Sequence, residues 1–299
     1  MVKHNKKHAY LLMIHHRKDL IDLLLEELDD ERNDIFMHID SRSKLDFNSF
    51  KTTKAGLYKV KQMKVNWGGY SQIKCELRLM EDACKHGPYA YYHFVQGSSF
   101  PLKTQDELHQ FYDERQGVEF VQIDQTLKIT RVELIHLFNE HYTIKHQYEK
   151  ILLAISKKFI NFQKIIGYNH FKQFNMEYKK GFALWSIDHE LLTYLLTKKD
   201  LIRKMCRFSY CADEIFIQTL TYNSKFKDRI NFIDDKFSSS LWFSTWRIDD
   251  KRRGCNFISE DLDAILNSGS NFARKFESED GIELIYSIKK QLDKRRQKI

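Results

Sequence analysis

Three short strings carry side chains able to do chemistry. Ala212-Asp213-Glu214 sets two carboxylates ahead of an apolar run. A carboxylate so placed can act as a general base toward a hydroxyl, although acids at a helix start are also what the helix dipole favours. Phe272-Ala273-Arg274-Lys275-Phe276 sets two cations between aromatics. Arg offers a planar fork to phosphate oxygens and Lys a point charge; a solvated basic turn would carry the same residues. His15 and His16 are adjacent rather than spaced to share a metal on one helix face. The string Asp261-Leu262-Asp263 lies at a predicted helix start, not at a strand end where a pair of acids would hold a divalent metal against a diphosphate. With no such pair at a strand end, basic side chains are the available means of neutralising a departing diphosphate.

These residues need a scaffold, and the hydrophobic pattern supplies one. Ala9 to Ile14 is a continuous apolar run, as a strand buried on both faces requires. Asp19 to Leu28 follows with helical spacing, and Ile35 to Ile39 is a second strand ending at Asp40, which together form a βαβ unit. The turn around Trp67-Gly68-Gly69 leads to a helix over Gln72–Ala83 with Ser71 as its cap. Tyr91–Val95 and Val118–Ile123 read as strands, with Thr104 capping a helix over Gln105–Tyr112 between them. Ile129 to Lys180 departs from this alternation and reads as a helical or irregular excursion. Beyond it come a strand at Phe182–Ile187 and a helix at His189–Thr197. A helix over Ala212–Tyr222, a strand at Leu241–Trp246 and helices from Ser259 and from about Gly281 complete the chain. Alternating strands and helices predict an α/β class with a mostly parallel central sheet. Ligands of such sheets sit beyond the C-terminal strand ends, which points at His15-His16, Asp40, the Trp67 turn and the Gly97 turn. Trp67, Trp185, Trp242 and Trp246 are all candidates for the core or for stacking on a sugar face.

Composition narrows the function classes. The 299 residues are 42% hydrophobic and contain only two prolines, which favours one globular unit over domains on linkers. Five cysteines without a CxxC pair suggest neither a disulfide framework nor a structural zinc site. Neither a GxGxxG nor a Walker loop occurs. The basic, polar start and the lack of an 18-residue apolar run predict a cytoplasmic chain with no membrane span. A net charge of +8, with a basic tail over Lys289–Lys298, is open to nucleic acid, an anionic membrane face or a phosphorylated substrate. No helix-turn-helix, RRM or zinc-finger pattern supports the first; peripheral membrane contact through the tail is the alternative.

In order along the chain, AYLLMIHHRKDLIDLLLEEL, IFMHIDSRS, VNWGGYSQIKCELRLMEDA, YYHFVQGSSFPLKTQDEL, CADEIFIQTL, LWFSTW and FARKFES resemble the core-2/I-branching β-1,6-N-acetylglucosaminyltransferases and peptide O-xylosyltransferases. The resemblance covers most of the chain except about residues 128–180. It implies a GT-A-type fold in one domain over 1–299, with a nucleotide-binding half at 1–125, a helical insertion at 126–180 and an acceptor and diphosphate half at 181–299. It implies an inverting, metal-independent transfer from a UDP-sugar, GlcNAc or xylose by family precedent, to a saccharide or lipid-linked oligosaccharide. By motif position Glu214 matches the family's base, Arg274 and Lys275 its diphosphate pair, and Arg252 a further phosphate contact. Met13 and Asp40 fall where the family contacts uridine, beside His15 and Trp67 from the strand-end rule, and Trp246 falls on the acceptor side. Ser99 stands where the family usually has an acid before Phe-Pro, and is carried as an acceptor contact. Animal members are Golgi membrane proteins with a stem and disulfides; without these features the chain resembles a bacterial member building a surface polysaccharide precursor in the cytoplasm. A non-catalytic sugar-binding relative and a nucleic-acid-binding protein are the alternatives.

Overall fold

A strand can be apolar along its whole length only if helices cover both its faces, and His8–Ile14 (β1) meets that condition at the centre of a sheet. The computed structural model describes residues 7–124, 132–141, 147–231, 239–245 and 254–297. Asn33–Ile39 (β2), Gly56–Lys59 (β3), Tyr91–Gln96 (β4) and Ser186–Asp188 (β6) join β1 in the order β3-β2-β1-β4-β6. The β1, β2, β3 and β4 pairings are parallel, and β6 runs antiparallel to β4. The sheet is therefore mixed, with its ligand-facing ends at Ile14, Ile39 and Gln96.

Lys18–Leu28 (α1) buries Leu20, Ile21, Leu24, Leu25 and Leu28, the stripe its spacing predicts. Tyr70–His86 (α2) begins earlier than expected. Ser71 lies inside it rather than capping it, and the residue at the cap, Gly69, offers no side chain. The Glu140 carboxylate supplies the missing acceptors instead, taking the Ser71 N–H at 2.8 Å and the Ser71 hydroxyl at 2.6 Å. Gln105–Asp113 (α3) opens with the predicted Thr104 cap, completed by Glu107 into a capping box. Gln147–Ile165 (α4) is the helix of the central excursion. His189–Thr197 (α5) matches its expected span, and Lys199–Cys206 (α6) follows it.

Ser99–Pro101 (β5), Trp242–Phe243 (β7) and Phe272–Arg274 (β8) form a second sheet in the order β5-β8-β7. Other elements besides α2 differ from expectation; the strands expected at Phe182–Ile187 and Leu241–Trp246 are the shorter β6 and β7. Val118–Ile123 makes only isolated bridges, Glu119 to Ile230 and Phe120 to Ser186 at the start of β6. Ala212–Glu214 is a single 3-10 turn, separated from Phe216–Tyr222 (α7) by Ile215 at φ −134°. The basic string at Arg274 is the end of β8 rather than a free turn. Leu262–Leu266 (α8) and Glu279–Arg296 (α9) close the chain, and Asp261 accepts the Ile258 N–H at 2.9 Å, the helix-start role expected of it. One contiguous hydrophobic core runs from Ala9 to Leu292.

Candidate functional site

The chain leaves β4 through Gln96-Gly97-Ser98 and enters β5, which pairs antiparallel with β8 so that Ser99 lies opposite Arg274. That connection carries the cations of one sheet to the strand ends of the other. Between them lies a cleft of about 500 Å³. Met13, His15, Asp40 and Trp67 line it on the side of the main sheet, and Arg274 and Lys275 on the other. Six predicted residues, spread over more than 260 positions of sequence, thus share one wall-to-wall space.

Asp40 is fixed by four hydrogen bonds. One carboxylate oxygen accepts the Arg42 N–H at 2.8 Å and Nε at 3.0 Å; the other accepts Arg42 Nη2 and the Val65 N–H, each at 2.9 Å. Those four bonds use its lone pairs. Burial would raise the Asp40 pKa, but the Arg42 guanidinium and the two N–H groups overcome it and hold the group at about 2. Asp40 therefore fixes Arg42 and the loop to Val65 at the wall of the cleft. The pH sign follows from the depressed folded value. The stabilisation, about 2 kcal/mol for this displacement from 3.8, is complete above about pH 4 and is lost as pH falls toward 2. Asp40→Asn should lose that amount at neutral pH in urea unfolding, with the gap to wild type closing between pH 4 and 2; a pH-independent gap would contradict the assignment.

His15 and His16 stand with ring centroids 4.0 Å apart. Burial, with His16 alongside, lowers the His15 pKa against the pull of Glu277 and Asp40, so the ring at the cleft is neutral at pH 7. Trp67 is 60% exposed on the rim, edge-on to Tyr210 at 5.6 Å, whereas Trp185 and Trp242 are core residues. Arg274 Nε donates to Ser98 Oγ at 3.2 Å. Burial lowers its pKa while Glu277, Asp213 and Glu214 oppose the shift, and a guanidinium remains a cation under all working conditions. Lys275 Nζ lies 2.6 Å from Glu277 Oε2.

Glu214 sits beside the cleft rather than in its lining. Gln72, which lines the cleft, donates to Asp213 Oδ2 at 3.4 Å, tying the acidic turn to the wall. The turn is also held from Gly68, whose carbonyl accepts the Cys211 N–H at 2.9 Å; Gly68 adopts φ +73°, and a Cβ there would meet the Tyr210 ring at 2.5 Å. The Glu214 side chain is 27% exposed, with Lys180 Nζ 3.2 Å from its Oε2. Behind it the Gly181 N–H donates to the Glu214 carbonyl at 2.9 Å, and a Cβ on Gly181 would lie 1.8 Å from the Gln122 carbonyl oxygen. Gly181→Ala should therefore displace the strap that carries Lys180 and cost on the order of 3 kcal/mol, read as a lowered urea midpoint; an unchanged midpoint would contradict this packing.

Ser99 is fully buried in β5, and its hydroxyl has no hydrogen-bond partner among the described residues. Trp246 and Arg252 lie outside the described residues. Sequence reasoning missed Arg42, Glu277 and Lys180. Asp40-x-Arg42 is an aspartate bonding two residues on, and Lys275-x-Glu277 shares one side of extended chain, so both pairs had local signals. Lys180 had none, being distant in sequence from Glu214. Among the described residues no three His, Cys, Asp or Glu side chains converge as a metal site requires.

A family model described as Core-2/I-Branching enzyme matches residues 8–265. None of the curated proteins matches the chain.

Proposed function

The chain belongs to the Core-2/I-branching enzyme family of glycosyltransferases, and from that premise we propose that it transfers a sugar from a UDP-sugar to a saccharide hydroxyl with inversion and without a metal ion. Its mixed, helix-flanked sheet is consistent with a GT-A-like fold. A glycosyltransferase of this family takes a nucleotide-sugar donor and a saccharide acceptor; UDP, GlcNAc or xylose, the β-linkage and a part in bacterial surface polysaccharide synthesis are the finer reading proposed here.

The observation that carries it is the cleft whose two walls differ in chemistry. The main-sheet side offers Met13, the neutral His15 ring and the exposed Trp67 face, surfaces suited to a base and ribose. The other side offers Arg274 and Lys275, suited to a diphosphate. In the reaction Glu214 takes the proton of the acceptor hydroxyl as its oxygen bonds to the anomeric carbon. The bond from that carbon to the diphosphate oxygen breaks, and UDP leaves carrying the negative charge. Arg274 and Lys275 stabilise that charge as it develops, which is where fixed cations gain most. Displacement from the far side turns an α-linked donor into a β-linked product.

The test is a thermal-shift screen of UDP-sugars with and without EDTA. A ligand that binds only the native state raises its stability. One or more UDP-sugars should raise the melting temperature equally in both conditions. A rise that vanishes in EDTA would remove metal independence, and no rise with any UDP-sugar would remove the donor assignment.

A further inference from the structure

The buried positions of helix α4, Glu149, Ser156 and Gln163, are polar and recur every seven residues, with half-buried Leu152, Leu153, Phe159 and Ile160 flanking them. Gln163 is fixed at both ends of its amide, accepting the Ile135 N–H and donating to the Ile135 carbonyl, each at 2.9 Å. On another side large apolar residues are exposed: Ile151 is 63% exposed, Ile155 46%, Phe162 55% and Ile165 84%, and Ile166 beyond the last turn continues the stripe at 57%. Beside this stripe Lys150, Lys157 and Lys164 form an exposed ridge, again at seven-residue spacing, with Lys158 also exposed. The one acid in the helix, Glu149, is buried, with Oε1 3.7 Å from His141.

A helix covered by water on this side would carry the opposite pattern. We infer that α4 lies in the surface of an anionic lipid bilayer, its isoleucines and Phe162 among the acyl chains and its lysines on the headgroups. An exposed apolar stripe flanked by lysines with no exposed acid is what an in-plane helix presents to such a surface. A second copy of the chain fits less well. A two-fold contact sets one patch against itself, which brings two lysine-rich helices together with no exposed acid on either to answer them. No described helix is long and apolar enough to cross a membrane, so the contact is one of lying on the surface.

The basic tail is a poorer candidate than its sequence suggests. Lys289 pairs with Glu26 at 2.9 Å, Arg295 with Glu107 at 3.4 Å, and Arg296 with Glu27. Leu292 is fully buried, so removing residues 291–299 would open the core rather than report on lipid. The excursion that carries α4 also carries Glu140, which accepts from Ser71 and from Asn66 next to Trp67. A bilayer under α4 is thereby linked through few residues to the cleft rim.

The inference stands apart from the transferase reading and is tested without it. The full chain is sedimented with vesicles of phosphatidylglycerol and phosphatidylcholine, and with neutral phosphatidylcholine vesicles. Binding should favour the anionic vesicles. It should fall on the order of a hundredfold in a Lys150→Gln, Lys157→Gln, Lys164→Gln variant, and equally in an Ile151→Gln, Ile155→Gln, Phe162→Gln variant. Glutamine keeps helix propensity and the replaced side chains are exposed, so melting temperatures should stay near wild type. Failure of wild type to bind anionic vesicles, or binding at the wild-type level by either variant, would overturn the inference. So would a wild-type dimer that the Ile-and-Phe variant dissociates, since a second copy would then cover the stripe.

Discussion

Glu214→Gln should lower kcat by on the order of a hundredfold or more, while a UDP-sugar should still raise the melting temperature of the variant, as expected for wild type. The amide keeps the shape of the carboxylate and a hydrogen-bonding oxygen, but it cannot take the acceptor's proton. Glu214 sits in a turn fixed independently of its side chain, by the Cys211–Gly68 backbone bond and by the Gly181 N–H on its own carbonyl. The substitution should therefore leave the turn in place. Loss of the carboxylate also leaves Lys180, only 11% exposed, without its partner at 3.2 Å, which adds a stability cost to the catalytic one. The melting temperature without ligand measures the first and kcat the second. A variant that turns over near the wild-type rate would remove Glu214 as the base. One that no longer responds to UDP-sugar would show that the carboxylate serves binding instead.

Arg274→Ala should lower kcat by on the order of a hundredfold to a thousandfold and weaken the donor-induced thermal shift as well. Arg274 is the better placed of the two cations. It is held by Ser98 Oγ at 3.2 Å and by its β-ladder register opposite Ser99, so little reorganisation is needed as charge develops on the diphosphate. Lys275 is a flexible point charge already 2.6 Å from Glu277, and must trade that carboxylate for phosphate. Lys275→Ala should accordingly cost less than Arg274→Ala, and Arg274→Lys should recover only part of the loss because the planar fork is gone. Equal losses at the two positions, or full rescue by lysine, would contradict this division of roles. Steady-state kcat and KM for the four proteins separate the outcomes.

The part of the chain that a sequence can describe is the part held together locally. β1, β2 and β4 were legible because a strand buried on both faces must be apolar throughout, and α1, α3 and α5 because stripe and cap residues lie within a few positions of each other. The strand ends then led to His15, Asp40 and Trp67, which do share the cleft. What stayed hidden depends on partners far away in the chain. The acidic turn breaks from α7 because Cys211, at φ 50°, bonds back to Gly68. β8 exists because β5 pairs with it, and three residues of ladder leave no periodicity to read. The N-terminus of α2 is completed by Glu140, so Ser71 looked like a cap when it is the donor to one. Ser99 matches the family by position alone, and position in a motif does not show that the residue is fully buried in β5. The apolar stripe of α4 was present in its spacing, but spacing alone does not say which side of a helix faces water.

Release of UDP from this cleft by an inverting displacement without a divalent metal is measured with the best-binding UDP-sugar and saccharide acceptors in EDTA, counting UDP released and reading the anomeric proton coupling of the product by NMR. UDP and glycoside should form in equal amounts, with a β-linked product from the α-linked donor. An α-linked product, or turnover that appears only when a divalent metal is restored, would overturn the proposed mechanism.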